Sequence, residues 1–286
     1  MTRRWTDHHY QSEDGLTLYA RIYNGTAGRT PLLCMHGLTR NSADFHALLQ
    51  QLPDWPAISV DQRGRGHSAY DPDPTRYRPD VYCKDMLALL SDLALDQVIA
   101  VGTSMGGLMT MMLANMEPGL FQAAIINDIG PEIDPKGLAR LAGYVGQAME
   151  FEDWDGAIAA IQAQGPDIFP DFSQTDWRDF AANVCEEDHD GRVRFRYDPV
   201  ISQGLGEDKV STVPPDLWPL YHGLEDLPTL IIRGETSDIL SAETAEHMVQ
   251  NRSAARLVSV PRRGHAPMLT EPVAITAIRA FLEPFA

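Results

Sequence analysis

Gln97-Val-Ile-Ala-Val-Gly102-Thr-Ser104-Met-Gly106-Gly107 is the stretch that decides the fold. Residues 97–101 form a short apolar run rich in β-branched side chains, the signature of a buried parallel strand. The run breaks into a serine flanked by glycines, and a helical pattern begins at Met105 and extends to Met116. A serine held on so sharp a strand-to-helix turn must take strained backbone angles, and small neighbours relieve the crowding. The helix N-terminus also aims N–H groups and a partial positive charge at the turn, which favours a developing oxyanion. G-x-S-x-G as a bare pattern is only moderately specific, the alternative being a glycine-rich turn with an incidental serine. The strand–turn–helix setting makes Ser104 the candidate nucleophile.

Outward from this turn the chain alternates strand and helix patterns. Residues 8–12 and 16–23 flank an Asp14-Gly15 turn and predict a hairpin. Apolar runs at 31–35, 57–60, 97–101, 123–127, 229–233 and 256–260 predict buried strands. Helical patterns fall at 42–51, 80–93, 105–116, 242–250 and 272–282. Such alternation predicts a doubly wound, mostly parallel sheet covered by helices on both faces.

One interval breaks the rhythm. Between Pro131 and Asp226 no clear strand pattern appears, and the interval is far too long for a crossover loop. Helical patterns at 137–149 and 154–164 precede segments rich in proline and aromatics. The expected organisation is a core of residues 1–130 and 227–286 interrupted by a mainly helical cap, residues 131–226. Its aromatic side chains Phe151, Trp154, Phe169, Phe172, Trp177, Phe180, Trp218 and Tyr221 are expected mostly to pack together, with a subset lining a pocket over Ser104.

Composition narrows the class. A 286-residue chain with 44% hydrophobic residues can bury a sizeable core. The net charge of −17 repels a nucleic-acid backbone, so no nucleic-acid partner is expected. Between Glu150 and Asp190 twelve acidic residues face one arginine, Arg178, the mark of a solvated surface. Cys34, Cys83 and Cys185 are odd in number and far apart, which implies neither a disulfide framework nor a zinc site. Neither a secretory signal nor an apolar span of membrane length is evident, so a cytoplasmic protein without a membrane partner is the expectation.

A serine hydroxyl needs a base. His265, in Arg263-Gly-His265-Ala-Pro267, follows the last predicted strand, where a loop can bring it over the serine. An acid must then fix the imidazole. Asp238, in Gly234-Glu-Thr-Ser-Asp238, is the expected acid, and it completes the order Ser, Asp, His. Its rival is Asp128, directly after the 123–127 run. The oxyanion requires two donors, expected to be the backbone N–H groups of Met105 and of Leu38, in the loop after residues 31–35. His36 is assigned a role in stabilising that turn.

His36-Gly37, Asp61-Gln-Arg63-Gly-Arg-Gly66-His-Ser68, the Ser104 elbow with its Met-Gly-Gly, Gly234-x-x-Ser-Asp238 and Gly264-His265 together resemble the α/β-hydrolase superfamily. The likeness covers roughly residues 19–128 and 229–285, and the middle carries no motif that aligns. It implies a Ser-Asp-His triad working through an acyl-enzyme, with a cap shaping the pocket and Arg63 and His67 as scaffold. A serine at the elbow separates the chain from branches that attack with a carboxylate. The His-Gly-Gly-Gly loop of lipases and the Gly-Pro-Gly of ring-cleavage hydrolases are also missing.

The expected reaction is hydrolysis of a small-molecule carboxylic ester or lactone, in the manner of a carboxylesterase, with no metal and no organic cofactor. Hydrolysis of a C–C bond in a vinylogous diketone, a cofactor-free haloperoxidase or perhydrolase, and a slow-turnover ligand receptor remain alternatives. The sequence leaves the oligomeric state and the natural substrate open.

Overall fold

The computed structural model describes residues 5–146, 150–165, 167–205 and 216–286. Its first half runs β1 (Thr6–Gln11), β2 (Thr17–Tyr23), β3 (Leu32–Met35), α1 (His46–Gln50), β4 (Ala57–Asp61), α2 (Pro79–Asp92), β5 (Val98–Thr103), α3 (Met105–Met116) and β6 (Phe121–Asn127). An inserted stretch follows with α4 (Pro135–Tyr144), β7 (Glu150–Phe151), α5 (Trp154–Ala163), α6 (Gln174–Val184), β8 (Cys185–Glu187), β9 (Val193–Phe195) and α7 (Trp218–His222). The chain closes with β10 (Thr229–Gly234), α8 (Ala242–Val249), β11 (Ala255–Val260) and α9 (Pro272–Leu282).

Eight strands form one sheet in the order β1-β2-β4-β3-β5-β6-β10-β11. The β1–β2 and β2–β4 pairs are antiparallel, and every later pair is parallel. The central strands are buried on both faces because helices cover both. One face packs Met35, Val60 and Ala100 against α2 and α3, and the other packs Cys34, Val101 and Ile125 against α1 and α9. This is the α/β-hydrolase fold, with a mostly parallel sheet, as the strand–helix alternation predicts.

The sheet carries its chemistry at the carboxyl ends of β3, β5, β6 and β11. The parallel order sets β5 beside β6 and β6 beside β10, so residues leaving those strands emerge within reach of one another.

Among its described residues the inserted stretch is mainly helical, with one addition. Besides its helices it contains a three-stranded antiparallel sheet in the order β7-β9-β8. Its strands are two or three residues long, too short to leave an alternating pattern in the sequence. The helix expected over 137–149 is α4, which ends at Tyr144; residues 147–149 lie outside the described residues. A separate apolar cluster of Ile158, Ile161, Phe169, Trp177, Ala181 and Val184 holds the stretch together.

Candidate active site

Ser104 joins β5 to α3 with φ 52° and ψ −114°, a region strained for any residue that has a Cβ. Its N–H donates to the Asn127 carbonyl at 2.9 Å, and its own carbonyl accepts the N–H groups of Gly107 and Leu108. The turn is possible because Gly106 has no side chain: a Cβ there would lie 1.9 Å from the Met35 carbonyl oxygen.

His265 is brought to this serine by the loop after β11. Its Nε2 lies 2.9 Å from Ser104 Oγ, and its Nδ1 lies 2.9 Å from Oδ2 of Asp128. Asp128 follows the last residue of β6 with φ 57° and is fully buried. Its backbone N–H donates to the Ile232 carbonyl on β10, and its Oδ1 accepts the Gly234 N–H at 2.8 Å. A carboxylate only accepts, so Nδ1 carries the imidazole proton and Nε2 presents a lone pair to the serine hydroxyl.

The expected acid, Asp238, is a correction. Its two carboxylate oxygens accept Nε and Nη2 of Arg140 on α4 at 2.6 and 2.8 Å. That guanidinium holds the Asp238 carboxyl below the ordinary carboxylate range, against the opposing pull of burial. The physical reason is local: Arg140 holds the Asp238 carboxylate, and the backbone at Asp128 aims its own at the histidine. Asp128 projects directly from the end of β6, whereas Asp238 lies four residues past β10, beyond the turn closed by Ser237 N–H on the Gly234 carbonyl. The glycine turn in which the acid was expected contributes instead a backbone donor to Asp128. The rival named from the sequence occupies the position.

The loop after β3 is fixed by His36. This side chain is fully buried, donates Nδ1–H to the Gly37 carbonyl at 2.7 Å, and accepts the Gln62 N–H on Nε2 at 3.1 Å. Burial depresses its pKa to about 4, so the ring stays neutral, as a nitrogen that accepts requires. The Gly37 carbonyl also accepts Arg40 N–H. In a trans peptide the Leu38 N–H points away from that carbonyl. A Cβ on Gly37 would come within 3.6 Å of Ser104 Cβ, so this peptide passes beside the nucleophile. From behind, the buried guanidinium of Arg65 donates Nε–H to the Leu38 carbonyl at 2.9 Å. Met105 is the first residue of α3, where helical N–H groups have no intrahelical acceptor.

Arg63 is buried as scaffold, bonded to Asp14, Asp71 and Asp85. Sequence reasoning missed Asn127. It is fully buried, and its Nδ2 donates both to Thr103 Oγ1 at 3.1 Å and to the Pro267 carbonyl at 2.8 Å. It therefore ties the serine elbow to the loop that carries His265. Its partners stand up to 140 residues away in sequence, and no local pattern points to such a clamp.

A cavity opens over Ser104 and His265, between the core and the inserted stretch. Of the aromatics singled out from the sequence, Phe169, Trp177 and Phe180 line it. Phe151, Trp154 and Phe172 pack against the insert's own apolar cluster, and Trp218 and Tyr221 pack toward α8. Tyr144 and Phe195 add to the lining, as do Arg40 and Arg140. Among the described residues, Asp188, His189 and Asp190 gather their ligand atoms within 4.8 Å, on the turn between β8 and β9 and outside this cavity.

Residues 30–272 match the family model described as the alpha/beta hydrolase fold. The chain belongs to this family. It is 30% identical over 257 residues to a 3-hydroxybutyrate-oligomer hydrolase of Cupriavidus necator, covering 87% of each chain. It is likewise 30% identical over 260 residues to a 2-(acetamidomethylene)succinate hydrolase of Mesorhizobium japonicum, covering 90% of this chain and 89% of that one. Among solved structures, an α/β hydrolase from Novosphingobium aromaticivorans superposes with a TM-score of 0.93 at 44% identity, over 99% of both chains. As an α/β hydrolase the chain is a hydrolytic enzyme. No helix among the described residues is long and apolar enough to cross a membrane.

Proposed function

We propose that this hydrolase cleaves a carboxylic ester through an acyl-enzyme, with Ser104 as nucleophile, His265 as base and Asp128 as the acid that orients the base. The observation that carries the reading is the unbroken chain of 2.9 Å contacts from Ser104 Oγ through His265 to Asp128, mounted on a strained turn. His265 takes the serine proton as Oγ attacks the carbonyl carbon. The N–H groups of Leu38 and Met105 receive the oxyanion, and buried Asp128 stabilises the imidazolium that forms. His265 then protonates the departing alcohol, and in deacylation it takes a proton from water.

The name of the Cupriavidus relative supports the ester class, because an oligomer of 3-hydroxybutyrate is a chain of carboxylic esters. Lactones present the same acyl carbon to the same groups and belong to this reading. The inserted stretch, residues 131–226, acts as a cap that selects the substrate by shape. The reading assigns no role to a metal or organic cofactor. A fluorophosphonate with mass mapping tests it, combined with a panel of short and medium esters. The expected result is a single adduct on Ser104 and multiple turnovers. An adduct elsewhere, or one turnover and no more, would contradict it.

A further inference from the structure

Two arginines border the cavity above Ser104, and they are placed differently. Arg40 gives its Nε and Nη2 to Asp44 at 2.6 and 2.8 Å, and the Phe180 ring covers its guanidinium at 3.9 Å. Arg140 gives the same edge to Asp238, and Tyr144 stands one helical turn along α4. A guanidinium carries five N–H donors. Among the described residues Asp238 takes two of these donors, which leaves the opposite edge of Arg140 for a ligand.

Backbone contacts hold the helix that carries Arg140 against the Asp238 loop. The start of α4 is pinned to the loop that bears Asp238: Asp134 N–H donates to the Ile239 carbonyl at 3.0 Å. Gly137 passes so close that a Cβ would lie 2.1 Å from the Asp238 carbonyl oxygen. The side chains of Arg140 and Asp238 are 24% and 35% exposed, so the pair lies at the edge of the cavity rather than in open solvent. Much of the wall around them is apolar, including Leu141, Ile161 and Phe169. A neutral ester needs no cation there, and a half-buried guanidinium left unpaired would be destabilising. Asp238 supplies that pairing.

We propose that Arg140 is a carboxylate-recognition site that selects esters bearing a carboxylate apart from the scissile carbonyl. The inference rests on the reading of Ser104 as a hydrolytic nucleophile and names its substrate class. The guanidinium edge that Asp238 leaves open can donate to a planar carboxylate, and the low-dielectric wall strengthens the contact.

The test uses two pairs of esters that differ only in a methyl against a carboxylate. One pair is sec-butyl acetate and 3-acetoxybutyrate, and the other is methyl pentanoate and monomethyl glutarate. Acid release by the full chain gives kcat/KM for each. The charged member of at least one pair should be preferred, and Arg140→Gln should lower that charged-to-neutral ratio at least tenfold. Arg140→Lys should keep part of the preference. Asp238→Asn breaks the same ion pair but keeps the guanidinium, so its ratio should stay within threefold of the parent. An unchanged ratio in Arg140→Gln would overturn the proposal. So would an equal collapse in Asp238→Asn, which would make the pair a structural latch. Parent enzyme that cleaves the neutral esters without preferring a charged one removes the carboxylate site and leaves the esterase reading standing. Parent enzyme that cleaves neither kind brings down both.

Discussion

Nδ1 of His265 lies 2.9 Å from Oδ2 of Asp128, while Asp238, beyond the neighbouring strand, is closed on Arg140. Both arrangements are open to this fold in principle. Strands β6 and β10 pair in parallel with Asn127 opposite Ile232, so acids leaving either strand emerge at one end of the sheet. The choice is made by local backbone. Asp128 takes a left-handed conformation, which Asp tolerates better than most residues, and this turns its carboxylate toward the histidine loop.

Asn127 is a positioning residue, because it touches the elbow and the histidine loop and not the reacting atoms. Asn127→Ala should lower kcat by roughly 10–100-fold through misplacement of His265, with KM within threefold. Rates are to be normalised by titrating active serines with a phosphonate. A variant that loses thermal stability but keeps kcat per titrated site would reduce the clamp to packing.

His36 gives the enzyme a pH-dependent stability. Its folded pKa, near 4, is below the unfolded value of about 6.5, so the unfolded chain binds the extra proton between these limits. The contribution is fully present above pH 6.5 and is lost as pH falls toward 4. It amounts to about 3 kcal/mol for a shift of this size. Denaturant unfolding of the parent and of His36→Gln across this range should give curves that diverge most at the neutral end. Curves that stay parallel would show that His36 titrates alike in both states.

Phe169, Trp177 and Phe180 border the cavity, so they should set acyl or alcohol size preference. Phe180→Ala should shift the preferred chain length upward, with single-methylene discrimination changing by about 1–3 kcal/mol. Phe151→Ala, altered within the insert's own cluster, should move all esters together. Equal effects of both substitutions on every ester would assign the aromatics to packing alone.

Much of this architecture is legible in the sequence, and the gaps have physical causes. The elbow is readable because a strand, two glycines and a helix must all be local to strain one serine. His265 is readable because it follows the last buried strand. The acid is ambiguous because adjacent parallel strands bring Asp128 and Asp238, 110 positions apart in sequence, to the same end of the sheet. The small β7-β9-β8 sheet leaves no trace because strands of two or three residues carry no period. Arg140 escapes notice because an arginine on an amphipathic helix reads as solvent-facing until the fold sets it beside Asp238.

We assign the orientation of His265 to Asp128 and not to Asp238. Single-turnover and steady-state kcat for Asp128→Asn and Asp238→Asn, on one neutral ester and with titrated active sites, test it most directly. Asp128→Asn keeps the shape but removes the charge and the tautomer preference. It should lower kcat by about 10⁴-fold, the size seen when a protease triad aspartate becomes asparagine. Asp238→Asn should change kcat on that ester by less than about tenfold, the scale of a modest misplacement. The opposite order, a near-silent Asp128→Asn beside a crippled Asp238→Asn, would contradict the account.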